Sequence, residues 1–376
     1  MAIQNYTIKN NLFNKFKNYF FIIIQVIKRF NFNSGVFFRY KTLYTHPSYN
    51  IYYTDPPIKF TNYFNANLYH WVNYPKMSFN KNFIIEINDH PLSVISGKFN
   101  IAEPYLILQH IDFARSIYAN PKCVKIIMTC EGVKKIFNFY FKNEFNEKIV
   151  LIPQPGCYND NEIIIEKKNT INFLCLASDF FSKGVDLVIK SWISIPNRKN
   201  SLLHIACPNI PQEILDTIKN NHDIIIHKNA PLNNIEKHQL FTETQVLIAS
   251  THIHGGANIY EAMSYGQAII SFEYHLNFFN KFAKIISMPY YFYNPKLYGI
   301  KWKTFNDFHN ILSIDKNNGI FNESIKSLSE AILFYINNPI DCYNDGNIAK
   351  EFSKTSHSYK LRNKMLSEIY SQYLKI

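Results

Sequence analysis

From about residue 83 onward, short apolar runs alternate with longer stretches in which apolar residues recur every three or four positions. Phe83 to Ile87, Val124 to Met128 and Ile149 to Ile152 are compact apolar runs bounded by polar or turn-forming residues, and predict strands. A second series follows: Ile171 to Leu176, Leu202 to Ala206, Ile224 to His227, Val246 to Ala249 and Ala268 to Phe272. Helical patterns such as Val185 to Ile193 and Ile235 to Phe241 separate its members. Short apolar strands alternating with helices imply parallel sheets covered on both faces. Further on, Ile325, Leu328, Ile332, Leu333 and Ile336, then Leu361, Met365, Leu366, Ile369, Tyr370, Tyr373 and Leu374, recur at helical spacing.

The two series are divided by Pro153, Pro155, Gly156 and a polar stretch to Thr170, the strongest punctuation in the chain. The expected fold class is therefore α/β, with two Rossmann-like doubly wound domains facing across a cleft. Domain bounds of 1–155, 156–345 and 346–376 are expected, the last being helices that pack back toward the first domain, with the helical region starting near residue 321.

Glycine is scarce and clustered. Three of the eleven glycines fall between Gly255 and Gly266, directly after the apolar run Val246 to Ala249. Gly255 and Gly256 at a strand-to-helix junction leave backbone amides uncovered by any Cβ, and a helix N-terminus adds partial positive charge, a combination suited to phosphate. Glu261 lies in the helix that follows. Asn258, three residues before Glu261, also fits a capping box that merely starts that helix, and both uses of Glu261 stay open. Lys183-Gly184 follows the strand Phe173 to Leu176, at the carboxyl end where open α/β sheets bind ligands. A lysine there offers a point charge to a diphosphate or is simply a solvated loop residue. No Ser or Thr follows Lys183-Gly184 as a Walker A element requires, and no G-x-G-x-x-G occurs, so the phosphate signatures of ATP and NAD sites are missing. Two half-motifs about seventy residues apart would instead meet at one sheet edge and grip a nucleotide diphosphate together.

Other polar residues admit two readings each. His252 and His254 form an H-x-H pair without a third metal ligand nearby, and read as loop histidines. Asp89 and His90 end the strand that begins at Phe83, where they either orient a hydroxyl or form a turn before Pro91.

Composition narrows the partners. The 376 residues carry 47% hydrophobic and 16% aromatic side chains, which excludes a disordered chain and leaves room for two cores. Lysine and arginine total 40 against 28 acidic residues, a net charge of +12, carried mostly by lysine because arginine occurs only at Arg29, Arg39, Arg115, Arg198 and Arg362. The lysines are scattered rather than gathered on one face with exposed aromatics, so nucleic acid is not the expected partner. A membrane surface or an anionic substrate accounts for the charge equally well. Cys123, Cys130, Cys157, Cys175, Cys207 and Cys342 show no C-x-x-C spacing and read as buried thiols of a reducing compartment. Tyr19 to Ile27 is an apolar run flanked by Lys15, Lys17, Lys28 and Arg29. It falls well short of the roughly 20 residues of a spanning helix, lacks a small-residue cleavage site, and reads as an interfacial segment within residues 1–30 or as ordinary core.

Phe173 to Leu176, Lys183 to Lys190, Leu202 to Ala206, Val246 to Ser250 and Glu261-Ala262-Met263-Ser264-Tyr265-Gly266 to Ile270, in that order and spacing, resemble the donor half of family 4 glycosyltransferases of the GT-B fold. Cys123 to Lys135 and Lys148 to Pro153 resemble the end of that family's acceptor domain. The resemblance does not extend to residues 1–80.

The resemblance implies that Lys183, with Gly184 beside it, contacts the donor diphosphate, that Gly255 and Gly256 offer amides to it, and that Glu261 accepts hydrogen bonds from the ribose hydroxyls. It implies a sugar transfer from a nucleotide diphosphate sugar to a hydroxyl of a glycan or lipid-linked acceptor, with retention and without a metal or other cofactor. Two departures stand out: Ala177-Ser178 replaces the family's Gly-Arg, and Ile253 stands where the family carries an acid. His254 is the polar candidate nearest that missing acid, and Asp89 and His90 are the candidates on the acceptor side. The departures favour an alternative, a catalytically degenerate member serving as a partner or glycan-binding subunit. A basic nucleic-acid-binding protein is a second alternative with only net charge behind it. The expected location is the cytoplasm, with peripheral contact to the inner face of an anionic membrane.

Overall fold

The computed structural model describes residues 51–53, 68–72, 81–87, 91, 111–154, 169–227, 232–252, 257–272, 282–286 and 305–373. Tyr19 to Ile27 lies outside these residues.

Two all-parallel sheets organise the chain. The first holds β1 (Ile51–Tyr53), β2 (Leu68–Val72), β3 (Phe83–Ile87), β4 (Cys123–Met128) and β5 (Ile149–Leu151), side by side in chain order. Its helices are α1 (Ile111–Ala119) and α2 (Glu131–Phe141). The second holds β6 (Phe173–Leu176), β7 (Leu203–Ala206), β8 (Ile224–Ile226), β9 (Val246–Ile248), β10 (Ala268–Phe272) and β11 (Ala283–Ile286), in the spatial order β11-β10-β9-β6-β7-β8. Between these strands run α3 (Val185–Ile193), α4 (Gln212–Ile218), α5 (Asn234–Glu243) and α6 (Ala257–Tyr265). After β11 come α7 (Phe305–Asn317), α8 (Asn322–Asn337), α9 (Pro339–Ser356) and α10 (Tyr359–Tyr373).

Strand alternation explains the layers. In β3, Phe83, Ile85 and Ile87 share a core with Ile117 and Tyr118 of α1 and Phe137 and Phe141 of α2. Ile84, on the opposite side of the pleat, joins Leu68, Ile127 and Ile152 against Leu366, Ile369 and Tyr370 of α10. The C-terminal helix therefore returns to cover the first sheet, as the apolar stripe on residues 361–374 predicts. In the second sheet, Phe173, Leu203, Ile205 and Val246 pack with Trp192 of α3 and Leu328 and Ile332 of α8. Leu174, Leu247 and Ile269 face Phe241 of α5, Met263 of α6 and Ala349 of α9. Burying such a side chain fully contributes about 1.5 to 3 kcal/mol relative to exposure.

A polar cluster lies inside the interface between α10 and the first sheet. Arg362, almost fully buried, places Nη2 2.5 Å from Glu86 Oε2 and donates Nη1 to the carbonyls of Ile152 at 3.2 Å and Pro153 at 3.0 Å. His70 Nε2 lies 3.2 Å from Glu86 Oε2, and the Tyr370 hydroxyl lies 2.6 Å from His70 Nδ1. Burial alone would raise the Glu86 carboxyl, but the Arg362 guanidinium and His70 outweigh it and hold it at about 2. Two residues before α10 begins, His357 Nδ1 sits 2.7 Å from the Gln154 carbonyl, and its ring stacks on Tyr260 of α6 at 4.7 Å. The segment 152–154 that leaves the first sheet is thus held by the far end of the chain.

Sequence periodicity did not mark β1, β2, β11 or α7. β2 reads Leu-Tyr-His-Trp-Val, where a histidine interrupts the apolar run. That histidine is buried because α10 supplies its partner from 300 residues away.

Candidate functional site

The strand order of the second sheet reverses at β6, which pairs with β7 on one side and β9 on the other. Neighbouring connections leave such a junction in opposite directions, opening a crevice at the carboxyl ends of the two strands. The first half-motif, Ala177 to Gly184, follows the end of β6, and Ala249 to His252, the segment that leads toward Gly255 and Gly256, follows the end of β9.

The first half-motif is a tight turn. Asp179 Oδ1 accepts from the Ser182 amide at 2.7 Å, and the amides of Gly184 and Val185 donate to the Phe181 and Phe180 carbonyls. Gly184 precedes α3 with φ 64° and ψ 25°, left-handed values that cost any residue with a Cβ. The segment after β9 grips this turn directly. Ser250 Oγ donates to the Lys183 carbonyl at 2.7 Å and the His252 amide donates to the Ser182 carbonyl at 2.9 Å. A Cβ on Gly184 would stand 3.4 Å from Ser250 Cβ and 3.6 Å from His252 Nε2. The segments after β6 and β9 are therefore tied together, with half-buried Lys183 on the first.

His252 is a loop histidine, as expected, but not a solvated one. It is fully buried behind the Lys183-Gly184 turn, edge-on to Phe321 at 4.8 Å. Among the described residues no group of three or more His, Cys, Asp or Glu side chains is arranged to hold a metal ion. The five described cysteines are free and buried, and burial pushes the Cys175 thiol, one strand position before Leu176, up to about 12.

Helix α7, unmarked in the sequence, braces the turn from outside. Lys316 Nζ lies 2.7 Å from Asp186 Oδ2 in the first turn of α3, where an acid also complements the helix dipole. His309 Nε2 lies 3.4 Å from Asp179 Oδ1. Burial would raise the Asp179 carboxyl, but His309 and the Ser182 hydroxyl and amide outweigh it and hold it at about 2.

On α6, Asn258 Nδ2 donates to the carbonyl of Leu176 at 3.3 Å, tying the helix start to the end of β6. The helix begins at Ala257, so Asn258 lies inside it and the capping box expected from Asn258 and Glu261 does not form. A capping box occurs instead on α5, where Asn233 Oδ1 accepts from the Ile235 and Glu236 amides and Glu236 accepts from the Asn233 amide. Glu261, one turn further along α6, ion-pairs through Oε2 with Lys237 of α5, both side chains being mostly out of water. Nearby, His238 Nδ1 sits 2.7 Å from the Tyr265 hydroxyl, and buried Gln267 donates to the carbonyls of Phe241 and Thr244. Lys237 was not singled out by sequence reasoning; its only signal is a position four residues before Phe241, whose ring it overlies at 5.5 Å.

The last glycine of the motif has a packing role rather than a ligand role. Gly266 has φ 79° after α6, and a Cβ on Gly346 of α9 would stand 2.1 Å from its carbonyl oxygen, so the two backbones touch.

Of the residues proposed from sequence, Lys183 and Gly184 follow the carboxyl end of β6, and Glu261 lies on α6 one turn beyond Asn258, which is bonded to the end of that strand. Gly255, Gly256 and His254, and on the other sheet Asp89 and His90, lie outside the described residues, as does Ile253.

No protein-family model matches the chain, and neither does any curated protein. Solved structures do. Sucrose-phosphate synthase from Thermosynechococcus elongatus aligns with a TM-score of 0.58 at 12% identity, over 82% of this chain and 74% of that one. WaaG, a glycosyltransferase involved in lipopolysaccharide biosynthesis, aligns with a TM-score of 0.54 at 15% identity, over 82% and 79%. The pneumococcal O-GlcNAc transferase GtfA, solved with UDP and GlcNAc, aligns with a TM-score of 0.52 at 12% identity, over 84% of this chain and 59% of its own. The chain has the GT-B fold of these glycosyltransferases.

Proposed function

We propose that the protein is a glycosyltransferase that moves a sugar from a nucleotide diphosphate sugar to a hydroxyl of a glycan or lipid-linked acceptor, with retention and without a metal. One observation carries this reading: the Lys183-Gly184 turn and the segment that follows β9 are tied together at the reversal of the second sheet, and Asn258 of α6 is bonded to the end of β6. Lys183 would neutralise charge developing on the diphosphate as the bond to the sugar breaks, and the Gly255 and Gly256 amides would add donors at the start of α6. Glu261 would accept from ribose hydroxyls. We assign residues 1–155 to the acceptor side, where Asp89 and His90 would orient the hydroxyl, residues 156–345 to the donor side, and residues 346–376 to the helices that join them. We place the enzyme in the cytoplasm, touching an anionic membrane through Tyr19 to Ile27.

The test is a panel of nucleotide sugars scored by the rise in melting temperature and by turnover. Glu261→Ala should weaken binding at least about tenfold, the loss of a charge-assisted hydrogen bond. Unchanged binding would remove Glu261 from the site. Ser178 and Ile253, in place of a cation and an acid, favour a second reading, a protein that binds the donor without transferring it. Tight donor binding with neither transfer nor hydrolysis would select that reading.

A further inference from the structure

We propose that Lys237 is a donor-binding residue, which reads a ribose hydroxyl jointly with Glu261. The inference rests on the donor site proposed above and adds a residue from a different helix.

Lys237 sits where a lysine is locally unfavourable. It follows Asn233 by one turn, its amide closing on the Asn233 carbonyl at 3.0 Å, so its charge lies at the positive end of α5. Its side chain is 14% exposed and lies over Phe241, so the ammonium has also lost most of its water. The Glu261 carboxylate, 12% exposed, offsets both costs. A surface pair would be held in place by little, but this one is fixed from both sides, by the α5 capping box and by the His238–Tyr265 and Gln267 contacts that knit α5 to α6.

A hydroxyl has one O–H donor and two lone pairs. A carboxylate by itself satisfies only the donor. With an ammonium beside it, a hydroxyl placed between the two groups donates to Glu261 and accepts from Lys237. The pair is then stricter than a lone carboxylate, because a nucleotide lacking that hydroxyl leaves Lys237 and Glu261 closed on each other as they stand in this structure. The cation missing at Ser178 is not replaced at the diphosphate by this arrangement. The added charge acts at the sugar of the nucleotide instead.

The experiment is calorimetric titration of UDP, or GDP should the wild-type protein prefer it, and of its 2′-deoxy and 3′-deoxy forms. Wild type, Lys237→Met and Lys237→Arg are compared, with melting temperature as the check on folding. Lys237→Met should weaken the ribonucleotide about tenfold and leave the affinity of one deoxy form within about twofold, since that form never engages the ammonium. Lys237→Arg keeps the ion pair and hence the fold, but its wider guanidinium closes the gap, and it should show the same selective loss. Equal loss for all three nucleotides, or wild-type affinity in Lys237→Arg, would make the pair purely structural and overturn the proposal. Tighter ribonucleotide binding by Lys237→Met would show that Lys237 competes for Glu261, and would overturn it too. If the wild-type protein binds no ribonucleoside diphosphate, the donor site itself fails, which the wild-type titration alone reveals.

Discussion

The two sheets are covered in different ways. The second sheet is closed by helices drawn from residues 185–356, and each of its faces carries an apolar cluster. The first sheet has one apolar face under α1 and α2, but its other face waits for α10, more than 200 residues beyond β5, and carries the Arg362, Glu86 and His70 cluster. A layer built from local segments needs only periodicity. A layer completed from the far end of the chain needs specific partners, and here they are charged.

Deleting residues 357–376 breaks this contrast most severely. It uncovers Leu68, Ile84 and Ile127 and strands Glu86 without its guanidinium, a loss above about 5 kcal/mol from burial and charge together. The first sheet should become protease-sensitive while a core of residues 169–356 persists, as limited proteolysis with mass analysis can show. Loss of both regions together would mean that the second sheet also depends on α10.

Arg362→Met is narrower. Leaving Glu86 buried without its partner should cost about 3 to 5 kcal/mol in denaturant unfolding. Adding Glu86→Leu should recover most of that, since a buried pair replaced by apolar groups is often neutral. Failure of the double variant to recover would mean that the Arg362 bonds to Ile152 and Pro153 dominate.

His357 sharpens the comparison through pH. Burial lowers its imidazole from 6.5 to about 4, with the Gln154 carbonyl opposing in part. The neutral form is favoured in the folded state, so its full contribution is present above pH 6.5 and is lost as pH falls through about 4, up to about 3 kcal/mol. Thermal unfolding of wild type and His357→Asn between these limits should show the variant's stability changing less with pH.

Gly184→Ala has the smallest expected effect. The added methyl meets only ordinary contacts, so the cost is the left-handed backbone, about 1 to 2 kcal/mol. Its melting shift should stay within the second sheet, and donor binding should fall if the turn relaxes.

How legible each part was follows from what holds it. Phe83 to Ile87, Val185 to Ile193 and Ala268 to Phe272 were bounded correctly because local apolar spacing specifies them. β2 was missed because its buried His70 is legible only beside Tyr370 and Glu86. Lys183 and Glu261 stand out in the sequence through their motifs, whereas the buried place of His252 and the Lys237 partner of Glu261 do not, since neither has a marker within its own segment.

By itself, the sequence determined the strand and helix periodicities, the division into two α/β series and the glycine-bearing half-motifs, because each is encoded within a few turns of chain. The tertiary structure alone decided that Ser250 and His252 lock the Lys183 turn, that Asn258 lies inside its helix rather than capping it, and that Arg362 and Tyr370 of α10 meet Glu86 and His70. Those outcomes depend on groups distant in sequence, whose polar atoms become committed only when burial removes water as the alternative partner.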